Sequence, residues 1–231
     1  MAGLNDPKTF FLALISGIIP SFFWFWFWLR EDKEKPEPKG VIATIFITGM
    51  ASVLFVLPIQ KFIQNNIDSH NLQTILWASA EEIIKYLAVI LILYKSNYID
   101  KPIDWAIYLI TAALGFAALE NMMFLIKPFS LDQTIVGLLT GQLRFLGSTL
   151  LHSVASGMIG VALGLSFYKG ENRKKWYLIF GMIVAITLHS LFNFFIIKND
   201  GNDFYKVFAF LWVVTIIIML LFEKLRRMSG E

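Results

Sequence analysis

Seven apolar runs, each about 18 to 23 residues long, follow one another along the chain and limit what it can fold into. At a rise of about 1.5 Å per residue, a helix of that length crosses the roughly 30 Å hydrocarbon core of a bilayer. The sequence therefore predicts an all-α, polytopic transmembrane helix bundle that forms a single membrane-embedded domain over residues 1–231. The predicted spans lie at 10–29, 41–59, 72–94, 105–126, 148–168, 176–197 and 204–221.

A weakly apolar stretch at 135–147 precedes the fifth predicted span. It contains Gln142 and Arg144, which are too polar for an ordinary span. The sequence leaves three placements open: the stretch extends the fifth helix outward, lies in the membrane interface, or re-enters the membrane.

Lysine and arginine residues fall unevenly between the predicted spans. Thirteen lie on one side and five on the other. Because positively charged loops stay in the cytoplasm, we expect a multi-pass cell-membrane protein with its N-terminus outside and its C-terminus in the cytoplasm. The net charge of +3, without a basic stripe interleaved with aromatic residues, indicates no nucleic-acid partner. The absence of cysteine excludes disulfides and thiolate catalysis.

Ionisable side chains recur within the central spans, where each costs a few kcal/mol and by default indicates function. At about 1.5 Å per residue, Glu81, Glu120, His152 and His189 fall about 6 to 13 Å below the outer boundary, each in a different helix. A shared depth predicts one site, open to the extracytoplasmic side. Together with two asparagines, the polar residues of these helices are Glu81, Glu82 and Lys85, then Glu120 and Asn121, then Arg144 and His152, and finally His189 and Asn193.

Helical spacing predicts some pairings within this group. Glu81 and Lys85 are four residues apart and share a helix face, so we expect them to pair. Glu82 then points about 100° away and is free for another role. Asn193 lies four residues after His189 and could orient its imidazole.

Four motifs occur in order on consecutive predicted helices. They are Glu81-Glu82-x-x-Lys85, Gly115-Phe116-x-x-x-Glu120-Asn121, Arg144 with His152, and His189-x-x-x-Asn193. This succession resembles the PrsW family of intramembrane proteases, which is similar to the glutamate-dependent CAAX-processing and bacteriocin-processing membrane proteases. The loop from Arg30 to Pro38, with its acidic residue before proline, is also similar to the first loop of that family. One departure is Phe124, where we expect an aromatic hydroxyl.

The resemblance implies an intramembrane endopeptidase that cuts a membrane-anchored protein near its extracytoplasmic end, typically an anti-sigma factor. The implied partners are that protein substrate and the lipid bilayer, and no oligomeric state is implied. The implied catalytic residues are Glu81, Glu82, Glu120, Asn121, His152 and His189, supported by Lys85, Arg144 and Asn193.

Two mechanisms remain open from the residues. In the first, Glu82 or Glu81 is the general base on water, and His152 or His189 stabilises the oxyanion with Asn121. In the second, a metal ion, most plausibly zinc, assists a glutamate base. We favour the metal-free mechanism, because the paired glutamates already supply a base and no H-E-x-x-H motif is present. The metal ligands of the second mechanism would be His152, His189, Glu82 and Glu120.

A proton- or ion-coupled transporter is the alternative function. Intramembrane Glu, Lys and His residues also build proton relays and ion sites. Against a transporter, the sequence shows no convincing internal repeat, and Pro20 and Pro58 lie away from the polar cluster. The Glu81–Lys85 pair could also be purely structural.

Overall fold

The computed structural model describes residues 6–30, 36–131, 133–198 and 204–229. Within these ranges the chain forms seven helices and no strand, which confirms the predicted helix bundle. Six of the helices are long and apolar enough to cross a membrane. The helices are α1 (Pro7–Leu29), α2 (Lys39–Asn66), α3 (His70–Leu93), α4 (Asp104–Ser130), α5 (Thr134–Leu165), α6 (Glu171–Lys198) and α7 (Phe204–Ser229).

The remaining helix, α3, has 24 residues but carries the three charged residues Glu81, Glu82 and Lys85. Its length suffices for a span, whereas its composition alone would not identify it as one. Residues 31–35 of the first loop lie outside the described residues. They include Lys33 and Lys35, two of the thirteen basic residues counted on the predicted cytoplasmic side. The orientation of the chain in the membrane stays a prediction from the charge distribution.

Helix α5 runs through the stretch 135–147 without a break, so that this stretch continues the fifth helix. Its path contains a π-helical turn at Arg144–Ser148. Such single π turns inside α-helices occur often at functional sites, because the wider turn re-aims the side chains around it.

Helix α4 lies at the centre of the bundle and packs against α1, α2 and α5. Its approach to α2 is set by two glycines. A β-carbon on Gly115 would press against the backbone carbonyl of Phe46, and one on Gly49 would press against the backbone of Ala112. Small residues allow membrane helices to approach closely in this way. The contact fixes the position of Glu120, five residues further along α4.

Side-chain caps define where two helices begin. The carboxylate of Asp6 accepts hydrogen bonds from the backbone N–H groups of Lys8 and Thr9 at the start of α1. The hydroxyl of Thr9 donates to the same carboxylate and holds the pKa of Asp6 below its usual range. At the start of α3, the Ser69 hydroxyl accepts from the backbone of Leu72.

Candidate active site

Four helices, α3 to α6, bring the predicted polar residues into one buried cluster. Glu81, Glu82 and Lys85 come from the middle of α3, and Glu120 and Asn121 come from α4. Six of the cluster's side chains are buried, and Glu120 and Arg144 are 19% and 16% exposed. The buried members are Glu81, Glu82, Lys85, Asn121, His152 and His189.

Both oxygens of Glu82 are fully engaged. Oε1 accepts a hydrogen bond from the Lys85 ammonium at 2.8 Å and lies 2.9 Å from Nδ1 of His189. Oε2 accepts from the Ser156 hydroxyl of α5 at 2.6 Å. Glu82 therefore joins α3 to α5 and α6, and it does not line the cavity described below.

Glu81 is held at one oxygen only. Oε1 accepts a hydrogen bond from the side-chain amide of Gln60 on α2 at 2.9 Å. Oε2 is buried and accepts no hydrogen bond from any described residue. It lies 3.6 Å from Nε2 of His189 and 3.9 Å from Nδ1 of His152.

The pairing of Lys85 differs from the one that the i,i+4 spacing predicts. Its ammonium lies 2.8 Å from Glu82 and 3.6 Å from Glu81. The reason is that Glu82 is also within one turn of Lys85 and faces α5 and α6, whose side chains complete its hydrogen bonds. Both oxygens of Glu82 thus accept hydrogen bonds, whereas Oε2 of Glu81 accepts none from the described residues.

The tautomer of His152 follows from its neighbours. The Lys85 ammonium is 2.8 Å from Nδ1, and because an ammonium only donates, Nδ1 accepts. The ring proton then lies on Nε2, which is 3.1 Å from a carboxylate oxygen of Glu120. The same ammonium lies 4.3 Å from the centre of the Phe116 ring. His152 therefore links the α3 charges to Glu120.

Arg144, in the π turn, contacts both polar residues that α4 contributes, Glu120 and Asn121. Its guanidinium pairs with Glu120, donates to the side-chain oxygen of Asn121 at 2.6 Å and donates to Ser148 at 3.1 Å. It also lies 4.0 Å from the centre of the Phe124 ring, at the position where the resemblance predicts an aromatic hydroxyl. The amide nitrogen of Asn121 donates to Thr149. Both polar ends of Asn121 are therefore occupied, and it does not line the cavity.

His189 is oriented by Glu82 and not by Asn193. Its Nδ1–H donates to Glu82, which leaves Nε2 facing Oε2 of Glu81. Asn193 makes no hydrogen bond to His189 within the part of the chain that the structure describes, and it lines the cavity one turn further along α6. These two atoms are 3.6 Å apart, which is too far for a direct hydrogen bond, and a cation could bind between them.

A cavity of about 640 Å³ opens beside these groups. From the level of Glu81 and His189 it extends to Trp77, Phe124 and Asn193. Because successive helices run in opposite directions, these three residues lie toward the same end of the bundle. The charge distribution predicts that this end is extracytoplasmic. The polar lining residues are Gln60, Glu81, Glu120, Arg144, Ser148, His152, His189 and Asn193.

Sequence reasoning misses two residues that contact the glutamates. Gln60 follows the predicted end of the second span at residue 59 and resembles a loop residue, whereas α2 continues to Asn66. For Ser156, the sequence suggests only the role of a small residue in helix packing. A polar amide within one turn beyond a span, at the depth of the acidic pair, is the available signal for Gln60.

Three of the residues could hold a metal ion. Glu81, His152 and His189 each offer a ligand atom, and these atoms lie within 4.8 Å of one another. Two histidines and a carboxylate are a ligand set that zinc accepts, and Glu82 would orient His189 from behind. Glu82 and Glu120, which the sequence also suggests as ligands, are not in this group. The Lys85 ammonium contacts two of the three ligand residues and competes with an ion for them.

A second polar cluster lies at the opposite end of α4. The Tyr108 hydroxyl donates to Glu37 of the first loop, and the Lys101 ammonium lies 3.8 Å from Glu37 and 3.7 Å from Asp104. Asp104 in turn accepts from the backbone N–H groups of Asp100 and Lys101. These contacts tie the acidic residue before Pro38 to the start of α4, far along the helix from the cavity.

Comparison with known proteins agrees with the motifs. A family model described as "PrsW family intramembrane metalloprotease" matches residues 37–222. The chain is 29% identical to Protease PrsW of Shouchella clausii (strain KSM-K16) over 82% of this chain and 84% of that protein. No solved structure matches the chain.

Two further relatives have the same name. The chain is 22% identical to Protease PrsW of Bacillus subtilis (strain 168) over 87% of this chain and 91% of that protein. It is 25% identical to Protease PrsW of Clostridioides difficile (strain 630), over 90% and 86% respectively. These matches confirm the resemblance, and with it a multi-pass membrane protease that acts on a protein substrate rather than a transporter. The chain belongs to the PrsW family of intramembrane proteases.

Proposed function

We propose that this protease hydrolyses a peptide bond of a membrane-anchored protein near its extracytoplasmic end, with Glu81 as the general base on water. The observation that carries the proposal is the buried Oε2 of Glu81, which accepts no hydrogen bond from the described residues, in a side chain that lines the cavity. An anti-sigma factor is the substrate class that the family resemblance suggests.

The proton path starts at Glu81. A water beside Oε2 gives a proton to Glu81 as its oxygen attacks the scissile carbonyl carbon, and the carbonyl oxygen takes up negative charge. Collapse of the tetrahedral intermediate breaks the C–N bond, and Glu81 returns the proton to the leaving amine. One carboxylate thereby serves as base and then as acid, and no covalent enzyme intermediate is needed.

Donors for the oxyanion come from α6. The amide of Asn193 and, in its doubly protonated form, Nε2 of His189 lie one turn apart on the same helix, and both residues line the cavity. Glu82 holds the His189 ring from behind at 2.9 Å. In this assignment Glu82 is a positioning residue, and Asn121 acts only through Arg144.

A metal ion remains compatible with the donor set. If an ion such as zinc is held by Glu81, His152 and His189, it would acidify a bound water and polarise the scissile carbonyl. The position of Lys85 favours the metal-free form, because its ammonium already supplies positive charge 2.8 Å from His152 and 3.6 Å from Glu81.

Comparing protein N-termini in membranes tests the proposal even while the substrate is unidentified. Cells with the wild-type protein, with Glu81→Gln and with Glu171→Gln are compared at equal protein abundance. Glu171 is a matched control, because its side chain is 81% exposed and pairs only with Lys174 among the described residues.

We expect wild type and Glu171→Gln to yield fragments cut near the outer end of single-span proteins, and Glu81→Gln to yield none. Glutamine keeps the size of the side chain and an oxygen that can accept from Gln60, while it removes the base. Equal fragment profiles for Glu81→Gln and wild type would refute the role of Glu81.

A further inference from the structure

We infer that Gln60 is a positioning residue for the base: its side-chain amide fixes the Glu81 carboxylate so that Oε2 faces His152 and His189. The inference rests on the proposed role of Glu81. It assigns a function to α2, a helix that contributes no charged residue to the cluster.

The hydrogen bond from Gln60 is the one that holds the Glu81 side chain. Nε2 of Gln60 lies 2.9 Å from Oε1, whereas Lys85 and the two histidines lie 3.6 to 3.9 Å from Oε2. Those longer distances lie beyond hydrogen-bonding range. Among the described residues, Gln60 is therefore the single hydrogen-bond donor to this carboxylate.

A carboxylate with one donor needs that donor to keep its orientation. The terminal torsion of a glutamate is broad and roughly two-fold, so a Glu side chain without a fixed partner turns its oxygens easily. Glu82 has three hydrogen-bond contacts from three residues and cannot turn. Glu81 depends on Gln60 for the same restriction.

Gln60 is itself fixed to α3 at a second point. The indole N–H of Trp77 donates to the backbone oxygen of Gln60 at 3.2 Å. Trp77 and Glu81 are four residues apart and share one face of α3. Gln60 thus contacts two successive turns of α3, which sets both the distance and the direction of its amide.

The chemistry of an amide suits this task. An amide N–H donates without a full charge, so it orients the carboxylate and leaves it able to accept a proton from water. An arginine or lysine at this place would make a charge-assisted bond and hold the carboxylate in its ionised form more strongly. A neutral donor on one oxygen, with the second oxygen free to accept a proton, suits a general base.

Variants of Gln60 test the inference in purified protein. Gln60→Met has a similar length but no donor, and Gln60→His restores an N–H at a similar reach. Gln64→Met is the matched control, since Gln64 lies one turn further along α2 and is exposed. The assay substrate is a single-span protein whose fragment depends on Glu81 in the membrane comparison above.

We expect Gln60→Met to lower kcat by about 10- to 100-fold, because misplacing a reacting group by about 1 Å costs up to about that factor. KM stays within about twofold of wild type, Gln60→His recovers most of kcat, and Gln64→Met behaves as wild type. Combined with Glu81→Gln, the Gln60→Met change adds no further loss, because Gln60 acts through Glu81.

The outcomes separate the two proposals. Full activity of Glu81→Gln would end the proposed mechanism, and with it this inference. An inactive Glu81→Gln together with a fully active Gln60→Met would overturn the role of Gln60 alone. A loss in Gln60→Met that Gln60→His does not restore, or that is matched by a lower thermal stability, would show a structural role and likewise overturn it. If Gln60→Met does not accumulate, Gln60→Ala is the second donor-free variant.

Discussion

The Lys85→Met substitution tests how much the buried ammonium stabilises the acidic cluster. The Lys85 ammonium is fully buried and makes contacts of 2.8 Å to both Glu82 and His152. Removing one partner of a buried ion pair leaves a charge without compensation and costs about 3–5 kcal/mol. We expect Lys85→Met to lower the free energy of unfolding, measured by denaturation in mixed micelles, by that amount.

Glu171 and Lys174 provide a control pair with the same i,i+3 spacing at the surface. Their contact is 3.0 Å, but their side chains are 81% and 39% exposed. Exposed pairs contribute at most about 1 kcal/mol, so Lys174→Met should leave the free energy of unfolding nearly unchanged.

The double variant with Glu82→Gln isolates the charge effect. Because the neutral amide removes the uncompensated charge, we expect Lys85→Met with Glu82→Gln to recover about half of the lost stability or more. A loss below about 1 kcal/mol in Lys85→Met, or no recovery in the double variant, would refute the argument that Lys85 compensates Glu82.

Two further predictions concern the metal and the orientation. Activity should persist after treatment with a strong zinc chelator, and purified protein should contain well below one zinc per chain; stoichiometric zinc that is lost in His189→Ala would establish the metal-assisted form. Since the chain has no cysteine, single variants report topology cleanly: Asn65→Cys should react with a membrane-impermeant thiol reagent added outside intact cells, and Asn97→Cys should react only after lysis. The reverse pattern would invert the predicted orientation.

The sequence is sufficient for the helices and for most of the polar residues that the structure brings into one cluster. Apolar runs of span length leave few alternatives to transmembrane helices, and ionisable residues at one depth in four of them indicate a common site. Glu81, Glu120, His152 and His189 do meet around one cavity. Counting residues from the predicted span boundaries could place them at one level, because depth along a helix depends only on sequence position.

The division of labour between Glu81 and Glu82 requires the structure. Spacing allows Lys85 to pair with either residue, and the choice depends on Ser156 and His189, which approach from other helices. The pairing of Arg144 with Glu120 also cannot be predicted from the sequence, because it depends on how two helices approach each other. A polar residue near the end of a span resembles an interfacial residue, and the π turn that brings it to Glu120 has no sequence signature.

The contacts of Glu82 also bear on how the protein enters its membrane. Among the seven described helices, α3 is the one that falls short on apolar composition, and its own residues supply only Lys85 as a countercharge. The remaining partners of Glu82 lie 74 residues later in Ser156 and 107 residues later in His189. We therefore expect the Glu82 carboxylate to lack part of its hydrogen bonds during synthesis until α5 and α6 have been inserted. On this reasoning α3 becomes stable in the bilayer late, once the contacts that hold Glu82 in the polar cluster have formed.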